Sequence, residues 1–292
     1  MKSSLARMLG VMDLFSEDAP VWTVDDIASK LGYTRATAYR YVGELCDAGL
    51  LMRVAQGAYS LGPRIIELDR QIRHRDPLLT IGERAMRGLL APDRGQVILL
   101  CDLFRDKVLC THQMSNGTDL ALSYTRGRPM PLFRGATAKA ILAYLPERRL
   151  TRLYLENQTE IAAARLGRTH EEFLASLKAI RREGHVVTHA EVDRSVVGIG
   201  VPLFGGERSV IGSLSIVFPK ERYPQRQEAQ LAADLKRAAE TIRAELARLG
   251  AAGRAQHVSG AAGGGRARSR RRRDVRPDER RRRARSNHRN AR

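Results

Sequence analysis

The first fifty residues alternate between apolar positions at helical spacing and short polar breaks. A first helix is predicted by apolar residues that recur every three or four positions, namely Leu5, Met8, Leu9, Met12 and Phe15. Thr23 stands before a second such run and predicts its N-cap, and Gly32 allows the left-handed turn that ends the helix. Thr34 is a second predicted N-cap, so a third helix follows after a short turn and ends near Gly49.

Two short strand-like stretches follow these helices. Residues 50–54 and 58–61 predict strands, and Gln56 and Gly57 between them are typical of a hairpin turn. Helix, short turn, helix and hairpin is the order found in a winged helix-turn-helix, so residues 1–62 are interpreted as a DNA-binding domain. A small helical domain with a hairpin that binds no nucleic acid is the alternative interpretation.

Residues 63–90 are predicted to be helical with a break at Pro77. One side of this stretch carries a stripe of apolar residues, namely Ile65, Ile66, Leu68 and Ile72. Such a stripe is typical of a packing or dimerisation surface, and a plain interdomain linker agrees with the periodicity equally well. We interpret residues 63–77 as a linker helix.

From residue 78 to 250 strands and helices are mixed. The predicted strands are 96–103, 107–113, 120–126, 197–204 and 209–218, with turns at Arg105-Asp106 and Gly205-Gly206. The predicted helices are 135–145, a helix opened by the Thr169–Glu172 capping box and ended by Gly184, and a long helix from Pro224 to Leu249. This mixture, joined by tight turns, predicts an α/β (α+β) domain with a largely antiparallel sheet.

The charge is concentrated at the C-terminal end of the sequence. The chain has a net charge of +19, and residues 251–292 contribute +12 of it through 15 Arg, no Lys and three acidic residues. The preceding 250 residues are only mildly basic. Because this tail has almost no large apolar residue, we predict that residues 251–292 are disordered.

Cysteine usage and hydropathy indicate the compartment. Three cysteines are too few for a disulfide framework and favour a reducing cytoplasm. No apolar run approaches the roughly 18 residues that span a bilayer, and the N-terminus lacks a secretory signal pattern. We therefore expect a cytoplasmic protein with no membrane partner.

Motifs of catalysis and metal binding are absent from the sequence: it has no P-loop, GxSxG, HExxH or Cys-x-x-Cys pattern. His185 and His189 invite a metal interpretation, but residues four apart on a strand lie roughly 13 Å from each other. Cys101 and Cys110 lie opposite each other if the chain turns at Arg105-Asp106, and we expect reduced buried thiols rather than a redox pair. We therefore predict no catalytic residue, no cofactor and no metal site.

The second helix of the helix-turn-helix carries the candidate DNA contacts. Its first two turns enter the major groove in this motif, where arginine binds guanine edges or phosphate and threonine contacts either. The candidates in and before this helix are Lys30, Thr34, Arg35, Thr37, Ala38, Arg40 and Tyr41. Lys30, together with Arg53 and Gln56 on the hairpin, is a candidate contact to the DNA backbone. The partner predicted from these residues is double-stranded operator DNA.

Longer motifs resemble one protein family. TVDDIASKLGYTRATAYRYVGELCDAGLL and GAYSLGPRIIEL, followed by RPMPLFRGATAKAILAYLP, EGHVVTHAEVDRSVVGIGVPLF and IGSLSIVFP, are similar in content and order to the IclR family of bacterial transcriptional regulators. The resemblance spans residues 4 to about 249. It implies a winged helix, a linker helix and a GAF-like effector-binding domain. It also implies a homodimer or tetramer that binds palindromic operators and responds to a small metabolite, often an organic acid.

The resemblance also implies an effector site. The matching positions are Gly135, Ala136, Thr137, Glu191, Gly198, Ile199, Gly200 and Ser215. The segment from 191 to 198 differs in length from the commoner pattern, and Val217 replaces an often polar residue. From the residues alone, the helix start at Ala136 and Thr137 can hold an anion beside Arg126, Arg128 and Arg134; a closely packed helix with solvated arginines is the alternative.

A second class of function stays open at this point. The alternative is a ligand-binding or enzymatic GAF-like protein whose winged helix serves protein or RNA contacts. That protein shows turnover and no sequence-specific DNA binding, whereas the regulator shows the reverse.

Overall fold

The computed structural model describes residues 3–92, 95–104, 107–116, 120, 122–205 and 209–262, with side chains described as far as residue 250. Met1–Leu249 form one compact unit. No helix within the described ranges is both long enough and apolar enough to cross a lipid bilayer.

The N-terminal part is a winged helix. Its helices are α1 (Ser4–Leu9), a 3-10 helix (Gly10–Leu14), α2 (Val24–Leu31) and α3 (Arg35–Asp47). Its strands are β1 (Trp22–Thr23), β2 (Leu51–Ala55) and β3 (Ala58–Leu61), which form an antiparallel sheet in the order β1-β3-β2. The predicted hairpin is confirmed. The first predicted helix is split, because its last turns tighten into the 3-10 helix.

Local side-chain chemistry fixes the ends of α2 and α3. The Thr23 hydroxyl accepts the Asp26 N–H at 3.1 Å, and Gly32 ends α2 with a φ of 65°. The Thr34 hydroxyl accepts the Thr37 N–H at 3.3 Å. Both caps were predicted, and both satisfy backbone donors that the first turn of a helix leaves free.

The linker region consists of α4 (Arg64–Arg75) and α5 (Pro77–Leu89). The predicted break at Pro77 is confirmed, because α4 ends at Arg75 and α5 begins at Pro77. Proline lacks the N–H that continuation of the preceding helix needs, but it is accepted at a first helical position. The Asp76 carboxylate accepts the Leu78 N–H at 2.8 Å and caps α5.

The second sheet has six strands, all antiparallel, in the order β6-β5-β4-β9-β8-β7. The strands are β4 (Val97–Phe104), β5 (Lys107–Ser115), β6 (Pro129–Met130), β7 (Val186–His189), β8 (Val196–Phe204) and β9 (Val210–Pro219). The predicted fold class, α+β with an antiparallel sheet, is confirmed.

Helices cover both faces of this sheet. They are α6 (Ala136–Leu142), α7 (Glu147–Glu156), α8 (Gln158–Ala163), α9 (His170–Glu183) and α10 (Glu228–Ala262). One buried cluster joins the sheet to α6, α7, α8 and α9, and a second joins the opposite face to α5 and α10. The predicted capping box is confirmed, since Thr169 accepts the Glu172 N–H at 3.2 Å.

Three predictions about elements differ from the structure. Residues 120 and 122–126 form no strand, because side-chain hydrogen bonds and a turn at Gly127, whose φ is 84°, hold the chain there instead of a ladder. Helices α7 and α8 were not predicted. Disorder was predicted from residue 251, but α10 continues to Ala262, where an alanine-rich run without proline allows helix. Arg105, Asp106 and Gly206 of the predicted turns, and residues 263–292 of the predicted tail, lie outside the described residues.

Candidate DNA interface and effector site

The exposed side of α3 carries the predicted DNA contacts that remain available. Thr34, Arg35 and Arg40 are exposed, and Thr37 is half-buried. Lys30 at the end of α2 is exposed, and so are Arg53 and Gln56 on the hairpin. The motif therefore presents cationic and hydroxyl side chains from the helix and from the wing.

Two of the predicted contacts belong to the core instead. Ala38 is fully buried and Tyr41 is 4% exposed, and both pack in the winged-helix core. The Tyr41 hydroxyl shares a hydrogen bond of 2.9 Å with the Ser4 hydroxyl, and that bond is the largest factor lowering the pKa of Tyr41. Positions three apart share one helix face, so Ala38 and Tyr41 face inward together, and we remove both from the candidate contacts.

Tyr39 joins the exposed face in their place. Its side chain is 49% exposed, and the Arg35 guanidinium lies 5.6 Å from its ring centroid. Arg35 also forms an ion pair with Asp25 at 2.8 Å, in which both side chains are largely exposed. The spacing of four residues from Arg35 to Tyr39 is the sequence signal that identifies this neighbour.

The start of α6 packs directly on β8. A Cβ atom built on Gly200 lies 2.6 Å from the Ala136 carbonyl oxygen, and one on Gly198 lies 3.4 Å from the Ala136 Cβ. Only glycine at position 200 permits this backbone approach. Gly135 enters the helix with a φ of 82°, a left-handed conformation that favours glycine.

A carboxylate of the protein itself lies at this helix start. Glu191 Oε2 accepts the Gly135 N–H at 2.8 Å, and Glu191 Oε1 lies 2.6 Å from Lys139 Nζ. Lys139 is only 6% exposed and also donates to the Ala164 carbonyl at 3.3 Å. One backbone N–H and one buried ammonium thus bind a carboxylate here, which is the chemistry that an organic acid requires.

Two hydroxyls complete this group of residues. Thr137 Oγ1 and Ser215 Oγ lie 2.8 Å apart, and both residues are almost fully buried. Ser215 is the register partner of Gly200, so both face α6. A cavity of about 290 Å³ lies beside the helix start and is lined by Pro131, Phe133, Arg134 and Glu160.

The structure thus brings seven of the eight predicted effector positions together around the start of α6. Ile199 is the exception. Its side chain belongs to the buried cluster on the opposite face of the sheet, because side chains alternate along a strand and Gly198 and Gly200 face α6. The Ile199 side chain therefore lies apart from the other seven positions, and the effector role of the set stays a prediction.

Two of the three arginines near this site, Arg126 and Arg128, pair with carboxylates elsewhere, whereas Arg134 lines the cavity beside the helix start. Arg126 Nη1 donates to Asp69 Oδ1 at 2.6 Å, and Arg128 pairs with Glu17 at 3.3 Å. Lys139 was missed as the cation of the site. The sequence signal that could have identified Lys139 is a lysine among the small and apolar residues of GATAKAILAYL, where a buried charge without a partner is costly.

The thiols and histidines were the other chemical candidates. Cys101 and Cys110 are register partners and both are buried, and burial raises the pKa of the Cys101 thiol. His189 packs edge-on against Tyr223. Within the described ranges, no three His, Cys, Asp or Glu side chains are grouped to hold a metal ion.

Comparison with known families decides the identity of the fold. The family described as "Bacterial transcriptional regulator IclR C-terminal" matches residues 73–244, and "IclR helix-turn-helix domain" matches residues 4–55. The chain belongs to the IclR family. It is an IclR-type transcriptional regulator, as its motifs indicated, and DNA is its partner.

Relatives of this IclR chain cover most of its length. The HTH-type transcriptional regulator KipR of Bacillus subtilis is 28% identical over 244 residues, which are 81% of this chain and 94% of KipR. The crystal structure of an IclR family transcriptional regulator from Brucella abortus has a TM-score of 0.69 at 19% identity, over 84% of this chain and 93% of that one. An IclR homologue from Microbacterium hydrocarbonoxydans, complexed with 4-hydroxybenzoate, has a TM-score of 0.63 at 22% identity, over 84% of this chain and all of that one.

Proposed function

We propose that this regulator binds a specific operator as a homo-oligomer, and that a small organic acid at the start of α6 changes its affinity for that operator. In this proposal residues 1–62 bind DNA and residues 78–250 bind the effector. Residues 63–77 are the linker helix between these two domains, and residues 251–292 are a basic tail. As a regulator of bacterial genes it acts in the cytoplasm.

The exposed face of α3 is the observation that carries the DNA-binding part. Arg35, Tyr39 and Arg40 share that face with the Thr34 hydroxyl, while Ala38 and Tyr41 hold the helix against the core. An arginine on such a helix distinguishes bases or binds phosphate, and removing one interaction of either kind costs about 1–3 kcal/mol.

The operator is tested by selection of duplexes from a random library with the full-length protein. Fluorescence anisotropy then compares a selected duplex with a scrambled one. We expect Arg40→Ala to weaken binding of the selected duplex roughly 5- to 150-fold, which corresponds to about 1–3 kcal/mol. Arg182→Ala removes an arginine that is likewise exposed, on α9, and serves as the control. Equal binding by both variants removes Arg40 from the interface, and failure to select any duplex refutes the proposed DNA binding.

The donors around Glu191 support an acid as effector. The Gly135 N–H and the Lys139 ammonium already bind a carboxylate, and the Thr137 and Ser215 hydroxyls lie on the same side of the sheet. A solved IclR homologue holds 4-hydroxybenzoate, and that acid is the first probe.

Isothermal titration with a panel of aromatic and aliphatic hydroxy acids tests the site. Thr137→Val removes one hydroxyl with little change in shape, and we expect about tenfold weaker binding of any acid that binds. Thr151→Val removes a hydroxyl on α7 and is the matched control. Unchanged affinity in Thr137→Val places the acid elsewhere.

Exposed apolar residues support a homo-oligomer. Ile66 and Ile72 on α4 are 73% and 54% exposed, and Leu5 and Leu9 on α1 are 70% and 55% exposed. Apolar surface of this kind is typical of an interface. We expect Ile66→Glu to dissociate the oligomer in analytical ultracentrifugation, whereas Leu155→Glu, at a position 66% exposed on α7, leaves it intact.

A further inference from the structure

Residues 122–128, which we name the bridging loop, directly precede β6 and make polar contacts in two directions. At one end, the Ser123 N–H donates to Asp193 Oδ2 at 3.0 Å, and the Ser123 hydroxyl donates to the other oxygen of the same carboxylate. Asp193 lies two residues after Glu191, the carboxylate at the start of α6. This end of the loop is therefore hydrogen-bonded to the segment that carries Glu191.

The other end of the bridging loop holds the linker helix. Arg126 Nε donates to the Thr111 carbonyl of β5 at 2.6 Å, and Arg126 Nη1 donates to Asp69 Oδ1 of α4 at 2.6 Å. The guanidinium is thus bound at two edges, which fixes the direction of its fork. Its hydrogen bond to Asp69 is the largest factor lowering the pKa of that carboxyl.

A third contact reaches the winged helix itself. Arg128 pairs with Glu17 at 3.3 Å, and Arg128 Nη1 also donates to the Ser123 carbonyl. Between these polar ends, Tyr124 is 6% exposed and packs in the domain core. The loop is thus anchored in its middle and bound by side chains at both ends.

We propose that Arg126 and Asp69 are positioning residues for operator binding, and that the bridging loop couples the Glu191 segment to α4 through them. The proposal rests on the proposed function, since it describes how the effector site acts on the winged helix. When an acid takes the place of the Glu191 carboxylate, residues 191–193 shift, and the Ser123 acceptor shifts with them. The loop then changes the direction in which Arg126 holds Asp69, and so the orientation of α4.

A coupling between sites is demonstrated by non-additivity rather than by proximity. Asp193→Asn alters the acceptor of Ser123, and Asp69→Asn alters the acceptor of Arg126. We expect Asp193→Asn to change the operator Kd at least threefold in the wild-type background and less than 1.5-fold in the Asp69→Asn background. Asp69→Glu keeps the carboxylate and restores the coupling, which a merely structural role of Asp69 does not require.

Matched controls separate coupling from a general effect of charge. Glu67→Gln removes a carboxylate on the same helix, where Glu67 pairs with Arg64. Asp234→Asn removes a paired carboxylate on α10. Each control combined with Asp193→Asn gives additive changes in Kd. Additive changes for Asp69→Asn with Asp193→Asn overturn the proposal.

Hydrogen exchange on the DNA-free protein gives a readout that does not depend on an operator. We expect Asp193→Asn to raise amide exchange rates in residues 69–75 at least threefold, and to leave them unchanged in the Asp69→Asn background. Unaltered exchange in α4 overturns the coupling whatever the protein binds. Coupled exchange without any duplex preference refutes the proposed function and leaves the coupling standing.

Discussion

Gly200→Ala is the substitution for which the structure gives the firmest expected effect. The added Cβ lies 2.6 Å from the Ala136 carbonyl oxygen and 2.8 Å from the carbonyl carbon, both atoms of the backbone. Reaching even 3.0 Å requires β8 and α6 to separate by at least about 0.4 Å, and overpacking of this kind costs about 1–3 kcal/mol.

Gly198→Ala is the matched control for this substitution. Its Cβ lies at ordinary contact distance, 3.4 Å from the Ala136 Cβ and 3.7 Å from Thr188 Oγ1. Both substitutions lower the conformational entropy of the unfolded chain to the same extent. This effect stabilises the folded state by about 0.4–1 kcal/mol where the site accepts alanine. We therefore expect Gly198→Ala to be neutral or slightly stabilising.

Urea unfolding and scanning calorimetry measure the difference between the two variants. A loss of 1–3 kcal/mol lowers Tm by about 2–12 °C in a domain of this size. The urea midpoint shifts with it, while the slope m stays constant. Equal midpoints for Gly198→Ala and Gly200→Ala refute the packing argument, and with it the position of α6 against the sheet.

Three further predictions concern pH, salt and helix capping. Burial raises the pKa of Asp102 from 3.8 to about 6, so between these pH values the folded state retains a proton that the unfolded state loses. Stability therefore falls as pH rises from about 4 to 6. In urea titrations, Asp102→Asn is expected to raise the free energy of unfolding by up to about 3 kcal/mol above pH 6, and by much less at pH 4. Truncation after Ala262 removes 14 arginines and three acidic residues. For DNA binding, the slope of the logarithm of the association constant against the logarithm of the salt concentration should become shallower by about 0.9 for each phosphate that the tail neutralises. An altered preference between selected and scrambled duplexes would make the tail part of the specific interface. Thr34→Ala removes the cap of α3 and should cost about 0.5–2 kcal/mol. Thr241→Ala, at an exposed position inside α10 whose hydroxyl bonds the Arg237 carbonyl, should cost little, and circular dichroism melts compare the two.

Local chemistry explains which parts of the fold were predictable. The caps at Thr23, Thr34 and Thr169 and the break at Pro77 depend on a few neighbouring residues, and all four lie where the sequence placed them. Helix α7 was missed although its apolar residues recur at helical spacing, with Leu150 and Leu153 buried on one face.

The candidate site was predictable in outline and not in detail. Strand alternation predicts that Gly198 and Ile199 face opposite sides of the sheet, but only the packing of α6 shows that Gly198 lies on the side of the helix start. The partner of Lys139 lies 52 residues away in Glu191, and the loop contacts of Arg126 join elements 57 residues apart. Pairings over such separations leave no periodic trace in a single sequence.

The carboxylate of Glu191 has a consequence for how much effector the regulator needs. An acid that uses the Gly135 N–H and the Lys139 ammonium meets a competitor that is covalently tethered to the protein. A tethered group acts at an effective concentration in the millimolar range or above. In the proposed function, Glu191 therefore sets a dose threshold: the site ignores trace amounts and responds only when the acid accumulates, and weakening the tethered carboxylate lowers the dose at which the response begins.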